Sequence, residues 1–222
     1  MNCIVTAGPT YEPLDEVRRL TNFSTGRLGA ELAAFLTAQG HEVVLMLGYY
    51  SVYRGQLKAG TIETFTTTAD LAARLQARSS PKIGAVFHAA AVSDFTFADI
   101  WEKSAGGQLV ACADRKIPTR AGQWFAELKP TPKLIATLRD SYPNACLVGW
   151  KYELDGDRSR VLRVAEQQIA KNRTNACVVN GAAYGDGFGL VTGAGQCQHL
   201  ADAGALYPSL ARLMGNPNPT TP

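Results

Sequence analysis

The chain has 222 residues, is 46% hydrophobic and carries a formal net charge of +3. That length supports one sizeable core, and Lys and Arg are spread along the chain rather than massed, which argues against a nucleic-acid scaffold. No apolar run approaches the roughly 20 residues of a membrane-spanning helix.

The five cysteines (Cys3, Cys112, Cys146, Cys177, Cys197) show no C-x-x-C and no Cys/His cluster, so neither a disulfide framework nor a zinc site is expected. Cys3, Cys146 and Cys177 lie in apolar runs, where Cys acts as a small hydrophobe. The apolar start is strand-length and ends at Gly8-Pro9, unlike a signal peptide, so a reduced, cytoplasmic protein is expected.

Residues 3–7 read as a buried strand, followed by a long polar loop. Leu28, Leu32, Phe35 and Leu36 fall at i, i+4, i+7 and i+8 and predict a helix over 27–39, with Gly40 at its C-cap. Strands follow at 42–47, 61–66 and 84–90, with a helix over 68–78. This βαβαβ pattern predicts an α/β fold with a doubly wound, mostly parallel, Rossmann-like sheet and an elaborated second half. Residues 91–123 read as a long loop with one short strand near 109–112. A helix at 131–140, a strand at 145–150, a helix at 157–171 and a strand at 175–180 come next. A C-terminal hairpin is expected from 188–193 and 196–200, then a helix over 203–214. One domain spans 1–214, and the Pro/Asn/Thr stretch 215–222 reads as a disordered tail.

In such sheets ligands bind beyond the carboxyl ends of the strands, here the loops starting at Gly8 and Ala91. Ser24, Thr25 and Gly26 sit where the first helix begins. Backbone N–H groups, two hydroxyls and Arg27 can converge there on a phosphate, although Ser and Thr also serve as ordinary N-caps. The dinucleotide fingerprint G-x-G-x-x-G is absent: roughly 18 residues separate Gly8 from that helix. None of the eight tyrosines has a Lys four residues on, which disfavours an NAD(P)-binding oxidoreductase.

Several segments together resemble the phosphopantothenoylcysteine synthetase (phosphopantothenate–cysteine ligase) family from Val5 to about Asn180. They are the opening Thr6-Ala7-Gly8-Pro9-Thr10-Tyr11-Glu12-Pro13-Leu14-Asp15-Glu16-Val17-Arg18, then Asn22-Phe23-Ser24-Thr25-Gly26-Arg27, Ala89-Ala90-Ala91-Val92-Ser93-Asp94-Phe95 and Lys116-Ile117. Lys129-Pro130-Thr131-Pro132-Lys133-Leu134-Ile135, Val148-Gly149-Trp150-Lys151-Tyr152-Glu153 and Val178-Val179-Asn180 follow in the family's order. The resemblance implies a ligase of coenzyme A biosynthesis that joins 4′-phosphopantothenate to cysteine. The carboxylate attacks the α-phosphate of CTP (most bacterial members) or ATP (eukaryotic-type members), and the cysteine amine then displaces the nucleotide. It also implies Mg²⁺ and a homodimer, with the contact in the 100–130 region.

By the same resemblance, Asn22 holds the acyl-nucleotidylate and Lys116 is the flap lysine that assists its reaction. Gly8, Thr10, Ser24, Thr25, Gly26, Arg27, Ala90, Ala91, Lys129 and Lys133 bind phosphates or substrate. Asp94 binds Mg²⁺ or ribose, and Gly149, Trp150 and Lys151 line the base pocket. Lys171 and Asn180 are weaker candidates, and His41, His88 and His199 receive no catalytic role. Lys133 is expected in the first turn of its helix, where a nearby phosphate would offset the dipole.

Two departures stand out. Many bacterial members carry K-x-K-K in the flap, where this chain has Lys116-Ile117-Pro118-Thr119. They carry G-F-A-A-E-T where this chain has Gly149-Trp150-Lys151-Tyr152-Glu153-Leu154. Both lean toward the eukaryotic-like branch. The flavoprotein decarboxylase half that many bacteria fuse to the synthetase does not fit in 222 residues, so no FMN is expected. A non-catalytic nucleotide-binding paralogue is the alternative outside enzymes.

Overall fold

The first strand, β1 (Asn2–Ala7), is buried on both faces from Cys3 onward, as a central parallel strand requires. The computed structural model describes residues 1–118 and 122–215. A small antiparallel hairpin, β2 (Tyr11–Pro13) and β3 (Arg19–Thr21), leads to α1 (Arg27–Ala38). Then come β4 (Glu42–Gly48), β5 (Thr61–Phe65), α2 (Thr68–Ala77) and β6 (Ile83–His88). Three strands follow: β7 (Phe95–Lys103), β8 (Leu109–Ala111) and β9 (Gln123–Pro130). A 3-10 turn (Leu134–Ala136) and α3 (Leu138–Ser141) precede β10 (Cys146–Tyr152), α4 (Arg158–Asn172) and β11 (Ala176–Asn180). The described chain closes with β12 (Phe188–Gly193), β13 (Gln196–Leu200) and α5 (Ala203–Met214).

Eight strands form the main sheet in the order β5-β4-β1-β6-β10-β11-β12-β13. The first six are parallel, and β12 and β13 are antiparallel to their neighbours. Chain order reverses between β1 and β6, so the crevice beyond their carboxyl ends is the sheet's topological switch point. Strand alternation divides the core. Cys3, Val5 and Ala7 pack with Leu32, Leu36, Leu206 and Leu210 of α1 and α5 on one face. Ile4, Val86 and Leu147 pack on the other with Leu71, Leu138 and Tyr142, while Cys177 and Val179 meet Val161 and Ala165 of α4. Gly29 sets the closeness of the first layer: a Cβ there would lie 2.5 Å from Ala7 Cβ and 3.1 Å from the Thr6 carbonyl oxygen.

The parallel strands and main helices match the expected ones, differing at their ends by one or two residues. The region 91–123 does not. It supplies β7 and β8, which with β9 form a separate antiparallel sheet in the order β8-β7-β9. A register shift between Phe97 and Ile100 resets the two-residue alternation, and the strands are largely exposed, so no period is visible in the sequence. The helix expected at 131–140 shrinks to the 3-10 turn and one turn of α3. Pro130 and Pro132 force Lys129 and Thr131 away from helical backbone, and Lys133 precedes the turn at φ −81°, ψ 96°. Apart from Gly215, which caps α5, the tail expected at 215–222 lies outside the described residues, as does Thr119.

All five cysteines are free. Burial pushes the thiols of Cys3 and Cys146 up to about 11 and that of Cys177 to about 12, so these three are inert packing groups. Among the described residues no helix is long and apolar enough to cross a membrane.

Arg139 fastens the second half together. Its guanidinium donates to the carbonyl oxygens of Arg173 (2.9 Å), Tyr142 (3.3 Å), Pro143 (2.9 Å) and Ala145 (2.9 Å) and to Asn175 Oδ1 (2.7 Å). Asn175 Oδ1 in turn accepts the Leu147 N–H at 2.8 Å. Arg139→Ala should destabilise the protein by about 2–4 kcal/mol, because several carbonyls lose a charged donor at once. Arg139→Lys should recover little of this, since a point-like ammonium cannot span the fork. Urea denaturation measures both, and a wild-type midpoint for Arg139→Ala would refute the role.

Candidate active site at the carboxyl edge of the sheet

Two loops zip together where β1 and β6 end. Gly8 turns the chain at φ 80°, the Ala91 N–H donates to the Gly8 carbonyl (3.0 Å), and the Thr10 N–H donates to that of Ala91 (3.1 Å). Pro9 and Ala91 form a parallel bridge. Thr10 is fully buried, with its hydroxyl accepting the Ser93 N–H (2.8 Å) and sharing a bond with Thr68 Oγ1 (3.3 Å). It therefore braces the loop and faces no ligand, which corrects its placement among contact residues. Glu12, 7% exposed, accepts the Thr68 N–H at 3.0 Å and anchors the hairpin to the start of α2. The hairpin stands in the chain between β1 and α1, where a dinucleotide-binding sheet has a tight turn.

The start of α1 is built differently from its counterparts. Thr67, Asp157 and Asp202 cap α2, α4 and α5 with side-chain oxygens. The N-cap of α1 is Gly26 at φ 80°, with no side-chain cap, and the first helical bond is Ala30 N–H to Gly26 O (3.0 Å). Of the N–H groups before that bond, that of Arg27 donates to Thr25 Oγ1 (3.3 Å), and those of Leu28 and Gly29 complete the first turn. The loop after β4 clamps this turn: Ser51 Oγ (2.7 Å) and the Tyr53 N–H (3.0 Å) both donate to the Thr25 carbonyl. A Cβ at Gly26 would come within 2.5 Å of Ser51 Oγ. Residues 24–29, Ala89 and Trp150 line a cleft of about 190 Å³. Arg27 is exposed at its rim, 4.0 Å from Glu31.

On the sheet face opposite α1, Thr6 Oγ1 and His88 Nδ1 lie 2.9 Å apart. Burial lowers the His88 pKa to about 4, so this imidazole is neutral at physiological pH. The expected trio Gly149, Trp150 and Lys151 does not share one pocket, because neighbouring strand residues face opposite ways. A Cβ at Gly149 would strike Gln168 Nε2 at 2.1 Å, on the α4 side, and Lys151 shares that side. Trp150 alone of the three lines the cleft, and its buried indole N–H has no hydrogen-bond partner.

Asn22 leaves β3 exposed, and its Nδ2 donates to the Ala91 carbonyl (3.1 Å), which ties it to the mouth of the switch point. Asp94 is also exposed. Its carboxylate pairs with the Lys133 ammonium, and its carbonyl accepts the Thr131 N–H (2.9 Å). Lys133 is thus held by a carboxylate and sits outside any helical first turn, so the dipole argument for it falls. Ala90 and Ala91 are half-buried, and Lys129 is exposed on β9. Among the described residues no group of three or more His, Cys, Asp or Glu could hold a metal ion.

Lys116 is exposed, and its neighbours are bonded to the turn between β2 and β3. Asn22 leaves the far end of that hairpin, about 10 Å away along β3. The structure therefore ties both to one element without bringing them together. A second depression, about 490 Å³, lies beside the turn and is lined by Tyr11, Asp15, Arg18, Arg19, Asp114 and Arg115 among others. Arg19 stacks between Tyr11 (5.1 Å) and Tyr50 (4.7 Å) and joins the hairpin to the β4 loop. Burial alone would raise the Asp15 pKa. The N–H groups of Val17, Ile117 and Arg18, with the Arg18 guanidinium, outweigh it and hold the carboxyl down at about 2. Asp15 and Arg18 went unassigned from the sequence, although Asp at the head of a short polar turn is an Asx-turn signal.

Residues 1–201 match the protein family described as DNA/pantothenate metabolism flavoprotein, C-terminal domain. A cysteine/cysteine sulfinic acid decarboxylase from an unknown prokaryotic organism is 30% identical over 190 residues, 85% of this chain and 48% of that protein. The coenzyme A biosynthesis bifunctional protein CoaBC of Thermococcus kodakarensis is 32% identical over 181 residues, 80% of this chain and 40% of that protein. The chain thus spans less than half the length of these relatives. The DNA/pantothenate metabolism flavoprotein of Streptococcus pneumoniae superposes with a TM-score of 0.83 at 24% identity, covering 97% of this chain and 98% of that one, and so shares the fold. The chain belongs to the DNA/pantothenate metabolism flavoprotein C-terminal domain family.

Proposed function

We propose that this protein is a phosphopantothenate–cysteine ligase driven by a nucleoside triphosphate. The observation that carries the reading is the glycine-capped start of α1 at the switch point, with Asn22 bonded to Ala91 beside it, in a chain of this family. A helix start whose N-cap is glycine lets an anionic chain of phosphates approach its first-turn N–H groups. Its relative in Thermococcus kodakarensis is named for coenzyme A biosynthesis, which fits the pantothenate chemistry.

The reaction divides into two displacements. The carboxylate oxygen of phosphopantothenate bonds to the α-phosphorus and pyrophosphate leaves. The cysteine nitrogen, having given up its proton, then bonds to the acyl carbon and the nucleoside monophosphate leaves. Ser24, Thr25, Arg27 and the α1 N–H groups receive phosphate oxygens. The Asn22 amide donates to the acyl oxygen as it gains charge, and the Lys116 ammonium balances charge on the nucleotide. The chain's donor set fits Mg²⁺ only in part. Asp94 supplies one carboxylate and the rest would come from triphosphate and water, with the ion shielding phosphate charge when bound. Lys133 would be released from Asp94 to a phosphate in that state.

The exposed apolar side chains of the small sheet, Phe95, Leu109, Val110, Phe125 and Leu128, offer a surface for a second copy and support a homodimer. Five free thiols, three of them buried, fit a reducing compartment, the cytoplasm.

The deciding experiment is pyrophosphate release from phosphopantothenate with CTP and ATP separately, and with cysteine present or omitted. Nucleotide binding without pyrophosphate release would favour the non-catalytic alternative. Asn22→Ala should abolish amide formation while nucleotide still binds, and full activity would remove the assigned role. Lys116→Gln should slow turnover by about 100-fold, and wild-type rates would contradict it. Asp94→Asn should weaken Mg²⁺-nucleotide binding in calorimetry, whereas an unchanged titration speaks against a metal contact.

A further inference from the structure

The turn between β2 and β3 carries a carboxylate whose two oxygens have separate partners. Asp15 Oδ1 accepts the N–H groups of Val17 (2.9 Å) and Arg18 (2.7 Å) and closes the turn on itself. Oδ2 accepts the Ile117 N–H (3.1 Å) and pairs with Arg18 Nη2 (2.6 Å), which also donates to the Ile117 carbonyl (2.6 Å). On the other side of Lys116, the Glu16 N–H donates to the Arg115 carbonyl (3.0 Å), and Arg115 Nε donates to Glu16 Oε1 (2.5 Å). Both neighbours of Lys116 are therefore fastened to a turn about a hundred residues earlier in the chain. The Asp15 side chain is 2% exposed and Ile117 5%, while Arg18 is 43% exposed, so the carboxylate is covered by its own donors, and these bonds are charge-assisted.

We propose that Asp15 is a positioning residue for Lys116: its Oδ2, bridged by Arg18, pins residues 115–117 to the hairpin turn and fixes the point from which the Lys116 ammonium swings. The importance of that lysine rests on the ligase reading, whereas the pin rests only on the bonds above. Arg115 and Ile117 hold the backbone on both sides, so the flexible link is the lysine side chain alone. Loss of the pin frees the whole segment, and the ammonium is then spread over a larger volume.

Asp15→Asn separates the two halves of the carboxylate. Its remaining oxygen keeps the turn, while its NH₂ replaces Oδ2 and faces two N–H donors that it cannot accept. Limited trypsin digestion of the full chain reads the segment directly, because Arg115 and Lys116 are both cleavage sites. Cleavage after these residues should accelerate by about 10-fold or more in Asp15→Asn, the population change expected on losing one hydrogen bond to a charged group. Cleavage after Arg78 should not change. Unaltered rates at the two flap bonds would overturn the pin. If Asp15→Asn does not fold, Arg18→Lys, which leaves the Oδ1 bonds intact, should give the same selective exposure, and protection equal to wild type overturns the proposal. In pyrophosphate release, Asp15→Asn should lower kcat with the nucleotide KM unchanged, and combining it with Lys116→Gln should slow the reaction no further. Additive loss in the double variant would mean that Asp15 acts elsewhere and would refute the positioning role. A wild-type protein without ligase turnover defeats the ligase reading, and the digestion then decides the pin alone.

Discussion

The closeness of α1 to β1 governs the carboxyl edge of this sheet. Gly29 leaves no atom where a Cβ would press to 2.5 Å on Ala7, so the helix lies almost against the strand's last residue. That contact delivers the first turn of α1 to the mouth of the switch point. Gly8 and Gly26, both at φ 80°, let the chain leave the strand and enter the helix without steric cost, and Ser51 holds the second of these turns from outside. Ser24, Thr25, Arg27 and the first N–H groups of α1 are placed by this arrangement.

The hairpin is the second organising element. Its strands have three residues each and could not persist alone, so their stability comes from anchors. Glu12 binds the start of α2, Arg19 stacks between two tyrosines, Thr21 donates to the Thr10 carbonyl (2.9 Å), and Asp15 receives the flap. Asn22 at one end and the Lys116 segment at the other are held by the same small unit. Where Thr67, Asp157 and Asp202 cap α2, α4 and α5 with their side chains, the N-cap of α1 is a glycine that leaves the mouth of the switch point open.

The legible part of the fold consists of elements whose apolar spacing is clean. Ile4, Val5, Val86 and Phe87 lie in continuous buried runs, and Leu28, Leu32 and Leu36 mark a helical face, so the parallel sheet and its helices are readable from spacing alone. The small sheet is not, because the bulge after Phe97 breaks its parity and its side chains are mostly exposed. Lys133 could not be placed from pattern, since two prolines delay the helix and Asp94 claims the side chain. The site was legible as a list of residue types near strand ends, and less so as geometry. Strand alternation separates Trp150 from Gly149 and Lys151, and Thr10 proves to be a brace. Asp15 acts through bonds to residues near 117, a partnership that no local window contains.

The order in which the chain is made bears on how β1 is completed. Cys3, at the middle of the sheet, has its sulfur 3.6 Å from that of Met214 at the end of α5, a separation of 211 residues. The central strand is therefore synthesised about 200 residues ahead of the helix that completes its cover. At ribosomal speeds this is an interval of about 10–40 s. During that time an apolar strand meant for the interior has one side incompletely roofed. The emerging polypeptide must be shielded by its own later strands or by chaperones until translation reaches α5.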